Sequence, residues 1–421
     1  MNWRRYTWSP GFAYAQLRAQ QPPLPNVRPV FDRVEREGDE ALYAFTREWD
    51  GVELPSLQVP PEAIAKASVE PTLAQAIEQA YQNLYVFHLA QRPSEIVCET
   101  QPGVVCGLRY VPYERVGLYV PGGTAPLFST VLMLGVPAQV ARVPSVALAT
   151  PPGPEGEVHP AILYAARLCG IYEVYRVGGA QAIAAFGLGT PTIPPVCKVY
   201  GPGNRYVQAA KLELVRRGLA IDMPAGPSEV VVIADSTAPP RWIAADLLAQ
   251  AEHGPDSLVG LITPEEALIA CVEEEITTLL RSHPRRAFIE ATLGHSWALR
   301  VPNLETALEA VNAIAPEHLI LACEAPFSWL DQVRTAGSVF LGSWTPESAG
   351  DYASGTNHVL PTGGAARSYG SLTVMSFLRT LTYQQLAQEG VRSIAPTVMT
   401  MAQAEGLPAH AYAMELRYAA L

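Results

Sequence analysis

A stretch near the middle of the chain carries the first side chains that could bind a metal ion. Gln250 and His253 follow residues 242–249, a segment rich in helix formers with apolar residues at helical spacing. Both are therefore predicted on one helical face, before the Gly-Pro pair at 254–255 that ends the helix. An imidazole is a common zinc ligand and an amide oxygen a rarer one, so this is half of a metal site. The alternative is a surface histidine beside a solvated glutamine, because zinc needs three or four ligands.

An acid and a base stand next to each other later in the chain. Glu317 and His318 follow Pro316 at a predicted corner between a loop and a strand, where both side chains can reach one cavity. A histidine is suited to act as a general base near neutral pH, and a neighbouring glutamate can activate water. The alternative is an acid and a base lying side by side on the surface.

Two further segments offer acidic and imidazole side chains. A loop of small residues carries Asp351 and His358, and a broken segment near the end carries Glu405 and His410. Asp351 would be a sound oxygen ligand and His358 a group beside the ligands or the substrate, although a flexible polar loop is the alternative. The nitrogen and oxygen ligands compatible with zinc are then Gln250, His253, Asp351 and His410. Spacing alone does not bring these four together.

The composition indicates a globular protein of two or more domains. Its 421 residues are 49% apolar and 16% charged, which is ample material for a core. The net charge of −11 argues against a nucleic-acid binder. No apolar run resembles a signal peptide or approaches the roughly 20 residues of a membrane span, so we expect a cytoplasmic protein without membrane contact. The six scattered cysteines are expected to be buried free thiols.

The predicted secondary structure alternates strands and helices. Residues 29–90 are expected to be a helical scaffold that includes a structural His88. The order strand, glycine turn, helix then occurs three times, which predicts βαβ units and a parallel sheet. The turns lie at 121–124, 178–179 and 201–203. Ligands of such sheets bind beyond the carboxyl ends of the strands, but none of the turns reads GxGxxG, so a phosphate cradle and a structural turn both stay open.

A second α/β series is predicted from residue 229 to 341, which suggests a doubled architecture. After it, helices are predicted at 372–377 and 383–389, followed by a closing helical piece interrupted by Gly406. A tail this short cannot bury much surface by itself. We therefore expect it to pack on the body or on a neighbouring chain.

Seven motifs make residues 29–410 resemble the histidinol dehydrogenase family. They are GLYVPGGTAPLFSTVLML at 117–134, VYGPGN at 199–204, IDMPAGPSEVVVIAD at 221–235, QAEHGPDS at 250–257, PEHL at 316–319, GDYASGTNHVLP at 350–361 and AEGLPAH at 404–410. Chance agreement over so many long segments is negligible. The visible departures are Ala315, where the family usually has glycine, and a short, proline-rich amino-terminal arm.

The resemblance implies the fold class and the assembly. It implies two Rossmann-like α/β domains with parallel-rich sheets, a small helical C-terminal extension and an intertwined homodimer. The implied segments are 14–118 with 229–368 as a catalytic, metal-facing domain, 119–228 as an NAD-contacting domain, 1–13 with 369–383 as a dimerisation segment, and 384–421 as a tail reaching the partner chain.

The resemblance also implies the roles of single residues. The zinc ligands, one ion per active site, would be Gln250, His253 and Asp351 with His410 of the partner subunit. The catalytic pair would be Glu317 and His318. The NAD-contacting positions would be Tyr119, Gln181 and Asn204. The substrate would be contacted by the metal ligands, the catalytic pair, Ser228, His358 and Glu405.

The implied reaction oxidises L-histidinol to L-histidine through L-histidinal with two NAD, the final steps of histidine biosynthesis. His318 would take the hydroxyl proton, and Glu317 would help water add to the aldehyde. Three alternatives stay open: an NAD-dependent dehydrogenase of another small alcohol on the same scaffold, a zinc hydrolase without a nucleotide, and a catalytically silent binding protein.

Overall fold

The computed structural model describes residues 3–18, 23–122, 126–224 and 226–421. In these ranges the strands β1 to β14 are, in chain order, Arg4–Thr7, Ile96–Gln101, Val104–Pro112, Arg115–Tyr119, Ser145–Thr150, Glu173–Arg176, Lys198–Tyr200, Ala220–Ile221, Glu229–Ala234, Leu258–Thr263, Trp297–Arg300, His318–Ala322, Ser338–Leu341 and Leu378–Leu386.

The helices connect these strands and cover their faces. In chain order, α1 to α16 are Arg28–Glu37, Asp39–Phe45, Pro61–Ala65, Pro71–Leu89, Phe128–Val140, Pro160–Leu168, Gly179–Leu188, Arg205–Arg216, Pro240–Ala251, Glu266–Leu280, Arg286–Leu293, Leu304–Ile314, Phe327–Leu330, Glu347–Tyr352, Gln388–Ala404 and Pro408–Ala419. Short 3₁₀ turns occur at Tyr14–Leu17, Ala365–Arg367 and Val374–Phe377, and a π turn at Thr46–Asp50.

One sheet has six strands in the order β1-β11-β10-β9-β12-β13, all paired in parallel. Alternate residues of β9 pack into two cores on opposite faces. Val230 and Val232 share one core with residues of α9, α10 and α11, whereas Val231 and Ile233 share the other with residues of α12. Every residue of β9 and β10 is buried, as expected for parallel strands covered on both sides.

A second sheet has five parallel strands in the order β6-β5-β4-β7-β8. Leu148 packs with α4, α5 and α6, and its neighbours Ala147 and Ala149 pack with α1, α2, α7 and α8 on the other face. The α/β fold class with parallel-rich sheets and a helical C-terminal end is therefore confirmed.

The core contacts differ from the predicted grouping of residues 14–118 with 229–368. Phe31 of α1 and Leu84 of α4 are buried against the five-stranded sheet, so the amino-terminal helices pack with the predicted NAD-contacting segment. Strand β1, from the predicted dimerisation segment 1–13, pairs with β11 at the edge of the six-stranded sheet.

The predicted helix at 383–389 is wrong. Strand β14 covers residues 378–386 and pairs antiparallel with β3 in a three-stranded sheet of order β14-β3-β2. Its sequence, LRTLTYQQL, contains threonine and tyrosine, which favour strands, and its partner β3 lies far away along the chain. At 372–377 the structure has only the 3₁₀ turn Val374–Phe377.

The tail is helical but largely exposed. Helices α15 and α16 pack on each other around Gly406, whose φ of 73° lies in the left-handed region. Apolar side chains such as Met401, Tyr412 and Leu416 are more than half exposed.

The scaffold prediction for His88 is confirmed. Its ring is fully buried, with Nδ1 2.8 Å from the Leu84 carbonyl oxygen and Nε2 3.3 Å from Asn357 Nδ2. The expectation of buried thiols holds only in part, because all the cysteines are free but Cys98, Cys197 and Cys271 are exposed. Within the described ranges, every helix is too short or too polar to span a lipid bilayer.

Candidate active site

The candidate residues gather between opposite edges of the two sheets. Tyr119 ends β4 and Gly201 follows β7, so the glycine turn 201–203 and the start of the turn 121–124 lie at the carboxyl edge of the five-stranded sheet, as predicted. Residues 123 and 124 of the latter turn lie outside the described residues. Glu317 and His318 lie at the amino end of β12 instead. The expectation that ligands bind beyond carboxyl ends therefore applies to one sheet only. Helix α9 ends at Ala251, at the amino edge of the other sheet. Gln250 is therefore in the last turn of the helix, whereas His253 lies beyond it and not on its face as predicted.

His318 is held as a neutral imidazole with one free nitrogen. Its Nδ1 lies 3.1 Å from the backbone carbonyl of Glu229, and because a carbonyl only accepts, Nδ1 carries the proton and donates it. Nε2 is buried and has no hydrogen-bond partner among the described residues; Asp351 Oδ1 is 3.8 Å away. Burial lowers the pKa of His318 to about 4. The ring can thus accept a proton near neutral pH.

Glu317 reaches the same cavity as its neighbour. The chain turns at Ala315, which has a φ of 60°, and the Glu317 side chain then accepts a 2.8 Å hydrogen bond from the Glu229 backbone N–H. Burial, with smaller contributions from the charges of Glu229 and Asp351, raises the pKa of Glu317 well above its usual range. Positive charge near this carboxyl would favour its ionised form.

The chain offers a set of side chains that fits a divalent cation. Gln250 is fully buried; its Nε2 lies 3.2 Å from His253 Nδ1, and its Oε1 has no partner in the part of the chain that is described. A buried acceptor without a donor is uncommon in a folded protein and suits a cation. His253 and Asp351 line one cavity of about 470 Å³ together with Glu317 and His318.

Sequence reasoning missed a third carboxyl in this group. Glu347 is buried at the start of α14, four residues before Asp351, and ligand atoms of His318, Glu347 and Asp351 all lie within 4.8 Å of one another. Burial raises the pKa of Glu347 well above its usual range. The spacing of four residues on one helical face was the available signal. Glu229 was missed because its part depends on the pairing of β9 with β12.

Two predicted substrate positions also line the 470 Å³ cavity. They are Ser228 and His358. The His358 ring has its Nδ1 2.9 Å from the Asp351 carbonyl oxygen and its Nε2 3.4 Å from Thr130 Oγ1. Burial lowers the pKa of His358. The ring therefore lies directly beside a predicted metal ligand.

The three predicted NAD positions line a second cavity of about 1120 Å³. They are Tyr119, Gln181 and Asn204. The Tyr119 hydroxyl accepts a 2.9 Å hydrogen bond from the Gly179 N–H, and Asn204 caps the amino end of α8. Gln181 Oε1 is buried and has no partner within the described ranges. Asn204 and Gly122 line both cavities, so the two cavities adjoin.

Two predicted site residues lie apart from this arrangement. Glu405 and His410 are exposed at the junction of α15 and α16, and neither lines either cavity of the single chain. A single copy thus brings together the predicted site except for the two residues of its tail.

Comparisons with known proteins agree on one family. The family model described as histidinol dehydrogenase matches residues 16–418. A histidinol dehydrogenase from Xylella fastidiosa is 50% identical over 394 residues, which cover 93% of this chain and 91% of that protein. A bifunctional histidine biosynthesis protein from Photorhabdus laumondii is 49% identical over 399 residues, and the chain spans only 49% of its length.

A solved structure gives the same answer for the fold. The crystal structure of histidinol dehydrogenase from Elizabethkingia anophelis has a TM-score of 0.96 and 42% sequence identity, covering 99% of this chain and 98% of that one. The family match, the relatives and this structure therefore agree with the resemblance carried by the motifs. The chain belongs to the histidinol dehydrogenase family.

Proposed function

We propose that this chain oxidises L-histidinol through L-histidinal to L-histidine with two molecules of NAD, closing histidine biosynthesis. The observation that carries the proposal is the buried, neutral His318. Its Nε2 has no hydrogen-bond partner among the described residues, and the residue lines a cavity beside the larger cavity of the predicted NAD positions. The names of the relatives support histidinol as the substrate.

The metal would be held by Gln250, His253 and Asp351 of one chain with His410 of the partner subunit. When bound, zinc would act as a Lewis acid that fixes the imidazole and amino nitrogens of the substrate, and NAD would accept the hydride. The buried, unpartnered oxygen of Gln250 supports this ligand set. Tyr119, Gln181 and Asn204 would contact NAD in the adjoining cavity.

His318 would be the general base of both oxidations. Donation from Nδ1 to the Glu229 carbonyl holds the ring so that the lone pair of Nε2 faces the substrate. Nε2 takes the hydroxyl proton of the substrate while a hydrogen on the carbon that carries this hydroxyl leaves as hydride to NAD. Ser228, His358 and Glu405 would orient the substrate around this atom.

Glu317 would position the water that adds to the aldehyde. The water oxygen bonds to the carbonyl carbon while one water proton passes to Glu317, and the carbonyl oxygen takes the proton that His318 gained in the first oxidation. The hydrate then gives a hydroxyl proton to the neutral His318 while its C–H hydrogen leaves as hydride to the second NAD. A metal ion bound at Asp351 would favour the ionised form of Glu317, and this carboxylate attracts a proton of the water. Among the described residues no cysteine lines either cavity, which supports water rather than a thiol as the nucleophile.

The working form would be an intertwined, cytoplasmic homodimer with shared active sites. Glu405 and His410 lie outside the cavities of their own chain, and the tail that carries them exposes Met401, Tyr412 and Leu416. A second copy would bury this apolar surface and complete both sites. The free cysteines are consistent with a reducing compartment.

The direct test is the formation of NADH by the zinc-loaded protein with histidinol and with a panel of other small alcohols. We expect two NADH per histidinol, with far higher kcat/KM for histidinol than for the other alcohols. His318→Ala and Glu317→Gln should be severely impaired. Preference for another alcohol would replace the proposed substrate, and parental activity in both variants would refute the assigned site.

A further inference from the structure

A buried ion pair lines the 470 Å³ cavity that the predicted catalytic pair also lines. Lys211 of α8 is paired with Asp222, which follows β8, and both side chains are 1% exposed. Taking two charges out of water carries a penalty that their attraction offsets only with good geometry and further hydrogen bonds. Replacing such a buried pair with apolar side chains of similar size often leaves the folded protein equally stable. Stability of the fold alone therefore does not account for this pair.

The remaining hydrogen bonds of the pair converge on one glycine. Lys211 Nζ donates to the Gly201 carbonyl at 2.9 Å, and the Gly201 N–H donates to Asp222 Oδ2 at 2.8 Å. Asp222 Oδ1 also accepts from the Met223 N–H at 2.7 Å. Both backbone polar groups of Gly201 are thus held by the two charged side chains.

Gly201 needs such support because its backbone is unusual. Its φ is 128°, and a Cβ at this position would collide with the carbonyl oxygen of Tyr119. It begins the turn 201–204, which ends at Asn204, the cap of α8 and a lining residue of both cavities. The ion pair therefore fixes the turn against a strand end that carries another predicted NAD position.

We propose that Lys211 and Asp222 are positioning residues, which hold the turn 201–204 in the shape that bound NAD requires. Neither charge is free to bind the cofactor, since each is taken up by the other and by the backbone. Their effect reaches NAD through Gly201 and Asn204. This inference rests on the proposed function insofar as NAD occupies the larger cavity.

The experiment compares the zinc-loaded parent with the double variant Lys211→Met/Asp222→Asn. This variant removes both charges together, so that neither charge is left buried without its partner. NAD affinity is measured by calorimetric titration, and KM for NAD, kcat and Tm are measured alongside. We expect the dissociation constant and KM for NAD to rise at least tenfold, with kcat at saturating NAD within about threefold of the parent. Lys211→Gln/Asp222→Asn, which also removes both charges, replaces this double variant if it does not fold.

A matched control separates positioning from loss of stability. Arg115→Met/Glu173→Gln removes another ion pair of the five-stranded sheet, which lines neither cavity, and should lower Tm without changing NAD affinity. The inference is overturned if the Lys211/Asp222 variant binds NAD within twofold of the parent, or if the parent binds no NAD. A parent that binds NAD but leaves histidinol unchanged would refute the proposed substrate only.

Discussion

The Nδ1 atom of His318 lies 3.1 Å from the backbone carbonyl oxygen of Glu229, while the Glu229 N–H donates to Glu317 at 2.8 Å. One peptide unit on each side of Glu229 thus orients both members of the acid and base pair. This is possible because β9 and β12 are neighbouring parallel strands, with His318 opposite Val230. The two side chains are placed by the backbone of a different segment.

His318 and Glu317 have different proposed roles, so their variants should have different kinetic defects. His318→Gln should slow both oxidations by about 10²–10⁴-fold, since the general base is lost from each. Glu317→Gln should spare the first oxidation more than the second, because water enters only after the aldehyde forms. Rapid mixing would then show a burst approaching one NADH per site with histidinol, and slow turnover when histidinal is supplied. Equal slowing of both steps by Glu317→Gln would contradict this division of roles.

The tail residues allow a test of shared sites. His253→Ala and His410→Ala should each be inactive alone, because each removes one metal ligand. After unfolding and refolding of an equal mixture, half of the dimers would be mixed and each would hold one intact site. About a quarter of the parental activity should therefore return. Refolding either variant alone is the control, and no recovery in the mixture would place all the ligands of a site in one chain.

Gln250 should have opposite effects in the metal-free and metal-loaded protein. Its buried Oε1 lacks a donor, and such a group costs about 1–3 kcal/mol. Gln250→Met should therefore leave the metal-free protein as stable as the parent or more so, while the rise in Tm on adding zinc is largely lost. Thermal unfolding with chelator and with zinc measures both effects. The control is Gln139→Met. The amide oxygen of Gln139 accepts a hydrogen bond from the Tyr81 hydroxyl, so this variant should be less stable by about 1 kcal/mol both with and without zinc.

The sequence predicted those parts of the fold that depend on local pattern. The strand, glycine turn and helix order around 201–203 is set by neighbouring residues, and the structure has the predicted parallel sheet there. The helix predicted at 383–389 was wrong because the strand there is completed by pairing with β3, which is distant in the sequence. Threonine and tyrosine in the segment favour a strand, but they do not reveal this partner. In the site, Glu347 was missed for a related reason, since its burial and its closeness to His318 arise from packing between elements.

Asp50 should make stability depend on pH. Its Oδ2 is buried without a partner among the described residues, and burial raises its pKa from 3.8 to about 6. Between these values the folded chain holds more protons than the unfolded chain, so its stability falls as the pH rises from about 4 to about 6. Asp50→Asn should make this slope shallower, while Glu229 and Asp246, whose pKa burial raises to about 7, keep their own contributions. After allowance for solvent screening, the variant should be more stable than the parent by about 1 kcal/mol at pH 7. Urea unfolding at pH 4.5 and 7 without ligands measures the effect, with exposed Asp331→Asn as a control expected to keep the parental slope.

Arg142 gives a stability test away from the site. It follows the end of α5 with a φ of 60°, its N–H bonded to the Gln139 carbonyl, and it is exposed. This left-handed conformation is where helices commonly end in glycine, since a Cβ there costs about 1–2 kcal/mol. Arg142→Gly should therefore raise the free energy of unfolding by about 0.5–1 kcal/mol, after allowance for the freedom of glycine in the unfolded chain. Arg281→Gly, at an exposed helix end with a φ of −55°, should be neutral or destabilising. Equal changes in Tm for the two variants would show that backbone strain at Arg142 is absent.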